Sequence, residues 1–350
     1  MRNSFLLYGA SGYTGSLIAE EACRAGLRPT LAGRSADKLA PLARRLGLEW
    51  KAFDLEDETA LRREVRAAGL VLHAAGPYSR TGHVMISACI AEAAHYVDIC
   101  GEIAVLDAAS KRDHEARARG VMLLCGAGFD VVPSDCMIAW LKRRLSSADR
   151  VRLFIGGAPT LSRGTTRTLA ESIALGTMVR RDDKLVELAH PPRGSCDFGS
   201  GPKAVIGVSL GDVVTGWWSA GIPNIEVYFE SSPALEKMAG TPRLVRHMLS
   251  TRVGQWALKF GINRLPPGPS PEQRMSLRTT LIGQAADSIG NSVRSRLVTP
   301  ESYSLSATTA VEIVRRALAG RTLPGFQTPA TVHGADFIAS IPGVVLDDLE

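Results

Sequence analysis

The stretch Ser4-Phe5-Leu6-Leu7-Tyr8-Gly9-Ala10-Ser11-Gly12-Tyr13-Thr14-Gly15 decides how the chain is read. An apolar run, Phe5 to Tyr8, stops at Gly9. Gly12 and Gly15 follow at three-residue spacing, and Ser16 to Ala22 carries the apolar spacing of a helix. Strand, glycine turn and helix in this order form a dinucleotide site. Gly9 allows the tight turn, Gly12 lets the backbone approach a pyrophosphate, and Gly15 lets the helix pack against the strand. The pyrophosphate then sits on N–H groups at the helix start, so Ser11, Tyr13 and Thr14 join the three glycines as candidate cofactor residues.

Further along, Pro29 to Arg34 reads as a second strand. An acid at its end would grip a ribose 2′-hydroxyl, but Gly33, Arg34 and Ser35 stand there, with Lys38 following. A guanidinium binds a 2′-phosphate in bidentate fashion, so the expected cofactor is NADP(H) rather than NAD. Trp50 to Asp54, Leu70 to Ala75, His95 to Ile99 and Val121 to Cys125 read as the next four strands. Helices are expected at 38–46, 61–68, 81–94 and 103–118. Six strands alternating with helices make a Rossmann-type, doubly wound parallel sheet, an α/β fold. Ligands bind beyond the carboxyl ends of such strands. That edge adds Asp54, Ala75, Gly76, Pro77, Gly101, Gly128, Phe129 and Asp130 to the cofactor candidates. Asp54 is left open between accepting from the adenine amine and capping the next helix.

After Pro133 the texture changes. Helix is expected from Ser134 to Leu145, and Val151 to Gly156, Lys203 to Ser209 and Asn224 to Phe229 alternate like antiparallel strands. Ser162 to Met178 reads as helical, Leu265 to Pro271 as a stiff linker, and Met275 to Gln284 with Ser292 to Leu297 as a hairpin. Thr308 to Leu318 reads as a closing helix. These elements make a second, α+β domain with a mainly antiparallel sheet.

With 350 residues the chain is long enough for two domains. Its 45% apolar and 22% charged content is that of a soluble globular protein. The net charge of +6 is spread along the chain, without the basic, aromatic-interleaved blocks of a nucleic-acid binder. The six cysteines form no C-x-x-C pair, which fits reduced thiols and a cytoplasmic setting. A core strand at the start leaves no room for a signal peptide, and no apolar run has the length of a membrane helix.

Taken together, GASGYTG, AGRSADKL, GPYSRTGHVMISACIAEAAHYVDICGE and GAGFDVVPSD resemble the saccharopine dehydrogenase-like oxidoreductases. Within them, SRGTTRTLAE, GIPNIEVYF, GPSPEQR, YSLSATTAVEIVRRAL and GFQTPATVHGADFIASIPGV are most similar to the trans-acting enoyl reductases of mycobacterial lipid synthesis. The resemblance implies that the C-terminal segment returns to the nucleotide domain. Expected boundaries are therefore 1–133 with 304–350 for the NADP-binding domain and 134–303 for the substrate domain. The chain departs from that branch at Trp217-Trp218-Ser219-Ala220-Gly221, so its substrate pocket differs there.

No metal-ligand spacing occurs, and chemistry is assigned to the cofactor, with the chain supplying donors and an acid. Enoyl reduction places hydride on the β-carbon and a proton on the α-carbon, and charge develops on the carbonyl oxygen. Candidate catalytic groups are Tyr78, Glu102 and Asp130. Tyr78 is alternatively a packed tyrosine, and Asp98 is read as a structural acceptor. Substrate candidates are Tyr78, Ser134, Arg163, Thr165, Thr166 and Trp218. A helix cap serves equally for Thr165 or Thr166, and Asp135 is read as a cap. His83 and His95 are read as helix-face and core histidines. The segment 233–261 is apolar and basic at helical spacing. It reads as an amphipathic cover, or as a lid or surface for an acyl chain, an acyl carrier or the inner face of the membrane. The leading expectation is an NADPH-dependent reductase of an acyl- or lipid-type C=C bond. The alternatives are an opine-type C=N reductase and a non-catalytic NADP- and lipid-binding protein. A homodimer is left open.

Overall fold

The computed structural model describes residues 4–157, 162, 163, 166, 176–241, 245, 248, 251, 254, 261, 264 and 268–349. The chain forms two compact units, 1–132 with 303–337 and 133–302 with 338–350.

The first unit holds β1 (Leu6–Tyr8), α1 (Tyr13–Arg24), β2 (Thr30–Gly33), α2 (Ala36–Leu46), β3 (Trp50–Ala52), α3 (Glu58–Ala68), β4 (Leu70–His73), α4 (Tyr78–Ala91), β5 (His95–Asp98), α5 (Ile103–Ser110), α6 (Asp113–Ala118) and β6 (Met122–Leu124). A strand Gly325–Gln327 pairs with β6, and the sheet then runs β6, β5, β4, β1, β2, β3, parallel throughout. β1, β4 and β6 are buried along their whole length, as parallel strands covered on both faces must be. This is the expected Rossmann-type sheet with one strand more. Gly325-Phe326-Gln327 is too short to show a period. It is fixed from a distance, where the Phe326 N–H donates to Asp113 Oδ1 at 2.9 Å. The helix expected over 103–118 breaks into α5 and α6, and α4 starts at Tyr78, three residues before its expected start.

The second unit is built on a sheet in the order 193–197, 202–208, 224–230, 150–156, 278–286, 292–300, 345–349, with a hairpin of 177–181 and 184–188 joined at Ile225↔Arg180. All pairs are antiparallel except Asn224–Glu230 beside Arg150–Gly156. That parallel pair differs from the antiparallel expectation, because alternation reports a half-buried face and says nothing about strand direction. The expected hairpin forms as Arg278–Ala286 and Ser292–Pro300. Residues 177–178, expected to end a helix, instead begin the strand Thr177–Arg181.

The tail departs from its expected place with the nucleotide domain. Val345–Leu349 pairs with Ser292–Pro300. Asp348 accepts from Trp140 Nε1 at 2.8 Å and from Ser295 Oγ at 2.9 Å, which ties 338–350 to the second unit. Most of 233–261, part of 162–178 and residues 265–267 lie outside the described residues. Among the described residues no helix is long and apolar enough to cross a membrane, and the six cysteines are free thiols.

Candidate cofactor and active site

At the turn after β1, Gly9 has φ +92° and a Cβ there would lie 2.6 Å from the Ala74 carbonyl carbon. A Cβ on Gly15 would lie 2.2 Å from the Gly9 carbonyl oxygen. Glycine is required at both points by close backbone approach, as the spacing predicts. The Gly12 N–H closes the turn on the Gly9 carbonyl at 3.0 Å. Gly12 is the N-cap of α1, no side chain caps the helix there, and its first turn holds no acid. Ser11 and Gly12 are exposed, Tyr13 and Thr14 half-buried. An uncapped helix start facing solvent, without a repelling carboxylate, fits a pyrophosphate.

On the β2 side, Arg34 and Lys38 are exposed and Ser35 is the N-cap of α2. The Tyr8 hydroxyl donates to the Phe53 carbonyl at 3.2 Å. Burial, and after it the Asp54 charge, push the Tyr8 phenol up to about 12, and the Arg34 charge opposes them. Arg34 and Asp54 therefore flank one strand edge. Asp54 Oδ1 accepts from the Glu56 N–H at 3.1 Å and braces that turn. The cap of α3 is Asp57, which accepts from the Ala60 N–H at 3.0 Å, so the capping alternative for Asp54 is displaced by three residues.

On the other side, Ala75, Gly76 and Pro77 lead into α4, with a cis Gly76–Pro77 peptide. Thr81 Oγ1 donates to the Ala75 carbonyl at 2.7 Å. Tyr78 is buried and its hydroxyl donates to the His73 carbonyl at 3.0 Å. Burial pushes this phenol well above its usual value, with Asp98, Cys100 and Glu102 adding to the effect. Its proton is thus held by a backbone oxygen inside the fold, which favours the packed-tyrosine alternative over the acid. Glu102 reaches back across the sheet edge. Its two oxygens accept from the Tyr78 and Ser79 N–H groups, each at 3.0 Å, which satisfies the start of α4. A carboxylate bound in this way is a cap rather than a proton carrier.

Asp130 differs. It follows Gly128 and Phe129 after β6, its side chain is exposed, and its stem packs on Gly101, where a Cβ would lie 2.6 Å from Asp130 Cβ. Burial pushes its carboxyl up to about 6, although the residue as a whole is exposed. The structure therefore brings Tyr78, Glu102, Gly101 and Asp130 to one edge, with Asp130 the most exposed of the four.

The loop 126–130 is held by residues far away in sequence. Ser306 Oγ accepts from the Phe129 N–H at 2.9 Å and Thr309 Oγ1 donates to the Ala127 carbonyl at 2.8 Å, both from the helix Ser302–Leu318. Two further residues were missed. His73 and Tyr96 are fully buried, with His73 Nδ1 3.1 Å from the Tyr96 hydroxyl, which donates to Asp98 Oδ2 at 2.7 Å. Asp98 is the structural acceptor expected: its Oδ1 takes the Cys100 and Gly126 N–H groups at 3.0 and 2.8 Å. A run of apolar residues, LVLH, hid His73, because hydropathy reads as core whichever polar partner a neighbouring strand supplies. His95 accepts from the Met122 N–H at 3.1 Å, and His83 is exposed on α4.

In the second unit, the Ser134 hydroxyl bonds Asp212, and Asp135 is fully buried in the first turn of the helix Val132–Arg144. Arg163 is half-buried. The Thr166 hydroxyl turns back onto the Ser162 carbonyl at 2.9 Å. Trp218 is half-buried beside Trp217, which donates from Nε1 to Asp183 at 2.7 Å. Thr165 lies outside the described residues. Among the described residues no group of His, Cys, Asp and Glu side chains could hold a metal ion.

Residues 5–124 match the model of the saccharopine dehydrogenase NADP binding domain. The first unit is thus an NADP-binding domain of oxidoreductase type, with NADP(H) its cofactor. That domain, about a third of the chain, is the part that matches; the motifs of the whole chain resemble the saccharopine dehydrogenase-like oxidoreductases. A saccharopine dehydrogenase-like oxidoreductase of Rattus norvegicus is 29% identical over 161 residues, which take in 40% of this chain and 38% of that protein's length. A trans-acting enoyl reductase of Mycobacterium bovis is 25% identical across 97% of this chain and 95% of that protein. The solved saccharopine dehydrogenase (L-Glu forming) of Saccharomyces cerevisiae shares the fold, with a TM-score of 0.62 and 13% identity over 99% of this chain and all of that one.

Proposed function

We propose that the protein is an NADPH-dependent reductase of the C=C bond of an acyl- or lipid-type substrate, with Asp130 as its proton carrier. The observation that carries this is an exposed acid on the β4–β6 edge, Asp130, whose carboxyl is pushed up to about 6 by burial. Likeness to the enoyl reductase over nearly the whole length of both chains supports the substrate class. The C=N alternative needs a cluster of cations for substrate carboxylates, and its candidates Arg163, Arg167, Arg180 and Arg181 form no telling pattern in the sequence.

Bound at the Gly9–Gly15 turn, NADPH would supply hydride to the substrate β-carbon. Arg34 would pair with its 2′-phosphate, and the start of α1 would hold its pyrophosphate. Glu102 keeps α4 in place through its two N–H bonds. Asp130 keeps its proton below pH of about 6 and delivers it to the α-carbon as charge leaves the carbonyl oxygen. The substrate gains one hydride and one proton, which saturates the bond. An acyl carrier or a membrane surface is the partner proposed from the basic, apolar sequence 233–261, and a second copy of the chain is a separate proposal.

The test is NADPH absorbance decay with enoyl thioesters against keto acid plus amine mixtures. Decay is expected with enoyl thioesters, and Asp130→Asn is expected to lower kcat about 10²- to 10³-fold. Because the protonated acid is the active form, the wild-type rate should fall as pH rises through about 6, and Asp130→Asn should lose that limb. Tyr78→Phe should keep kcat within about threefold and lose about 1 kcal/mol of stability, that of one hydrogen bond. Decay with the keto acid alone would move the protein to C=N chemistry. Cofactor binding with no decay would leave a binding protein.

A further inference from the structure

Three polar side chains are sunk into the first unit next to the carboxyl edge. β4 and β5 pair with His73 opposite Asp98, and Tyr96 lies two residues before Asp98 on the same face. Tyr8 on β1 pairs with His73, and the Tyr8, Tyr78 and Tyr96 rings stand 5.9, 5.1 and 6.0 Å from the imidazole. Burial pushes His73 down to about 3, so the ring is neutral and has one donor and one acceptor nitrogen. With the Tyr96 hydroxyl donating to Asp98 Oδ2, the imidazole proton is assigned to Nδ1, which then donates to the Tyr96 oxygen.

Each end of this chain of bonds meets a different loop. At the β4 end, the His73 carbonyl takes the Tyr78 hydroxyl, and the Ala75 backbone lies beside the imidazole. At the β5 end, Asp98 takes the Cys100 N–H from the loop that leads to Gly101 and Glu102. It also takes the Gly126 N–H at the start of the loop that leads to Asp130. A core of Leu and Val would pack as well and would not cost the burial of a carboxylate. What apolar packing does not provide is a fixed hydrogen-bond register between three loop tips.

With a pyrophosphate held at Gly9–Gly15 and a 2′-phosphate at Arg34 beyond β2, the nicotinamide half would fall on the β4, β5 and β6 side of the edge. We propose that His73, Tyr96 and Asp98 are positioning residues: their buried hydrogen-bond chain sets the Ala75–Tyr78, Cys100–Glu102 and Gly126–Asp130 tips around the nicotinamide half of the cofactor. The adenosine half is held independently, by the Gly9–Gly15 turn and Arg34. This inference rests on the NADP(H) reading and not on the identity of the substrate.

The test compares two probes on the full-length chain, NADPH and 2′-phospho-ADP, which lacks the nicotinamide half. Tyr96→Phe keeps the ring and removes both hydroxyl bonds, and His73→Leu removes the Nδ1 donor. His73→Asn places an amide N–H where Nδ1–H stood. Tyr96→Phe and His73→Leu should bind 2′-phospho-ADP within about twofold of wild type, and their NADPH affinity should fall about threefold to tenfold. The fluorescence lifetime of their bound NADPH should shorten toward that of the free cofactor. His73→Asn should stay near wild type in all three readouts. Equal losses for both probes, or no change in either, would overturn the proposal. If Tyr96→Phe fails to fold, the His73→Leu and His73→Asn pair gives the same contrast. A wild-type chain that binds neither probe would instead refute the NADP(H) reading.

Discussion

The two halves of the parallel sheet's carboxyl edge are built by different means. The β1–β3 half is made of backbone and exposed charge: a glycine turn, an uncapped helix start, Arg34 and Lys38 in solvent, and Asp54 bracing its own turn. The β4–β6 half is made of buried side chains that bond across strands, with Glu102, His73, Tyr96, Asp98 and Ser306 holding loops contributed by other elements. The first half recognises a phosphate, which any chain with the right local backbone can do. Under the proposed function the second would hold a reacting geometry, which needs rigid support from several directions. The contrast explains why the same edge carries exposed cations at one end and fully buried polar groups at the other.

The heaviest test of the contrast falls on the glycine turn. Gly9→Ala puts a Cβ 2.6 Å from the Ala74 backbone at φ +92°. It should cost about 2 to 4 kcal/mol in denaturant unfolding and abolish NADPH binding in titration. A variant that still binds NADPH normally would show that the turn does not hold the pyrophosphate. Arg34→Ala should weaken NADPH about tenfold to a hundredfold and leave NADH within about twofold, as measured by paired dissociation constants. Equal losses for both cofactors would remove Arg34 from the 2′-phosphate and end the division of labour.

The buried half should reveal itself in acid. His73 titrates near 3 in the fold against 6.5 when unfolded, so below about pH 6.5 the unfolded chain takes up a proton that the fold refuses. Stability should therefore fall as pH drops through that window. His73→Asn should lose this slope, a difference of about 1.4 kcal/mol for each pH unit, read from denaturant curves between about pH 6 and pH 4. Parallel curves for the two proteins would mean that the imidazole accepts a proton inside the sheet.

Legibility followed the same division. The glycine turn, the missing acid before Arg34 and the strand–helix alternation depend on neighbours within a few residues, and they could be read directly. Tyr78 and Glu102 stand at the expected edge, yet their chemistry turned on partners 5 and 24 residues away, through the His73 carbonyl and the Tyr78 N–H. The direction of Asn224–Glu230, the strand Gly325–Gln327 and the place of the tail were not legible. Each depends on a pairing made across the fold.

By itself the sequence determined a Rossmann-type nucleotide unit, its NADP(H) preference and the set of residues that line its edge. All of these follow from backbone freedom and charge at single positions. Only the tertiary structure decided what each edge residue bonds and how far it is buried. It assigned Tyr78 to a carbonyl and Glu102 to a helix start, left Asp130 open, and joined His73 to Asp98 through Tyr96. The reason is that a side chain's acidity and role are set by burial and by what it bonds, and those partners meet only when distant strands come together.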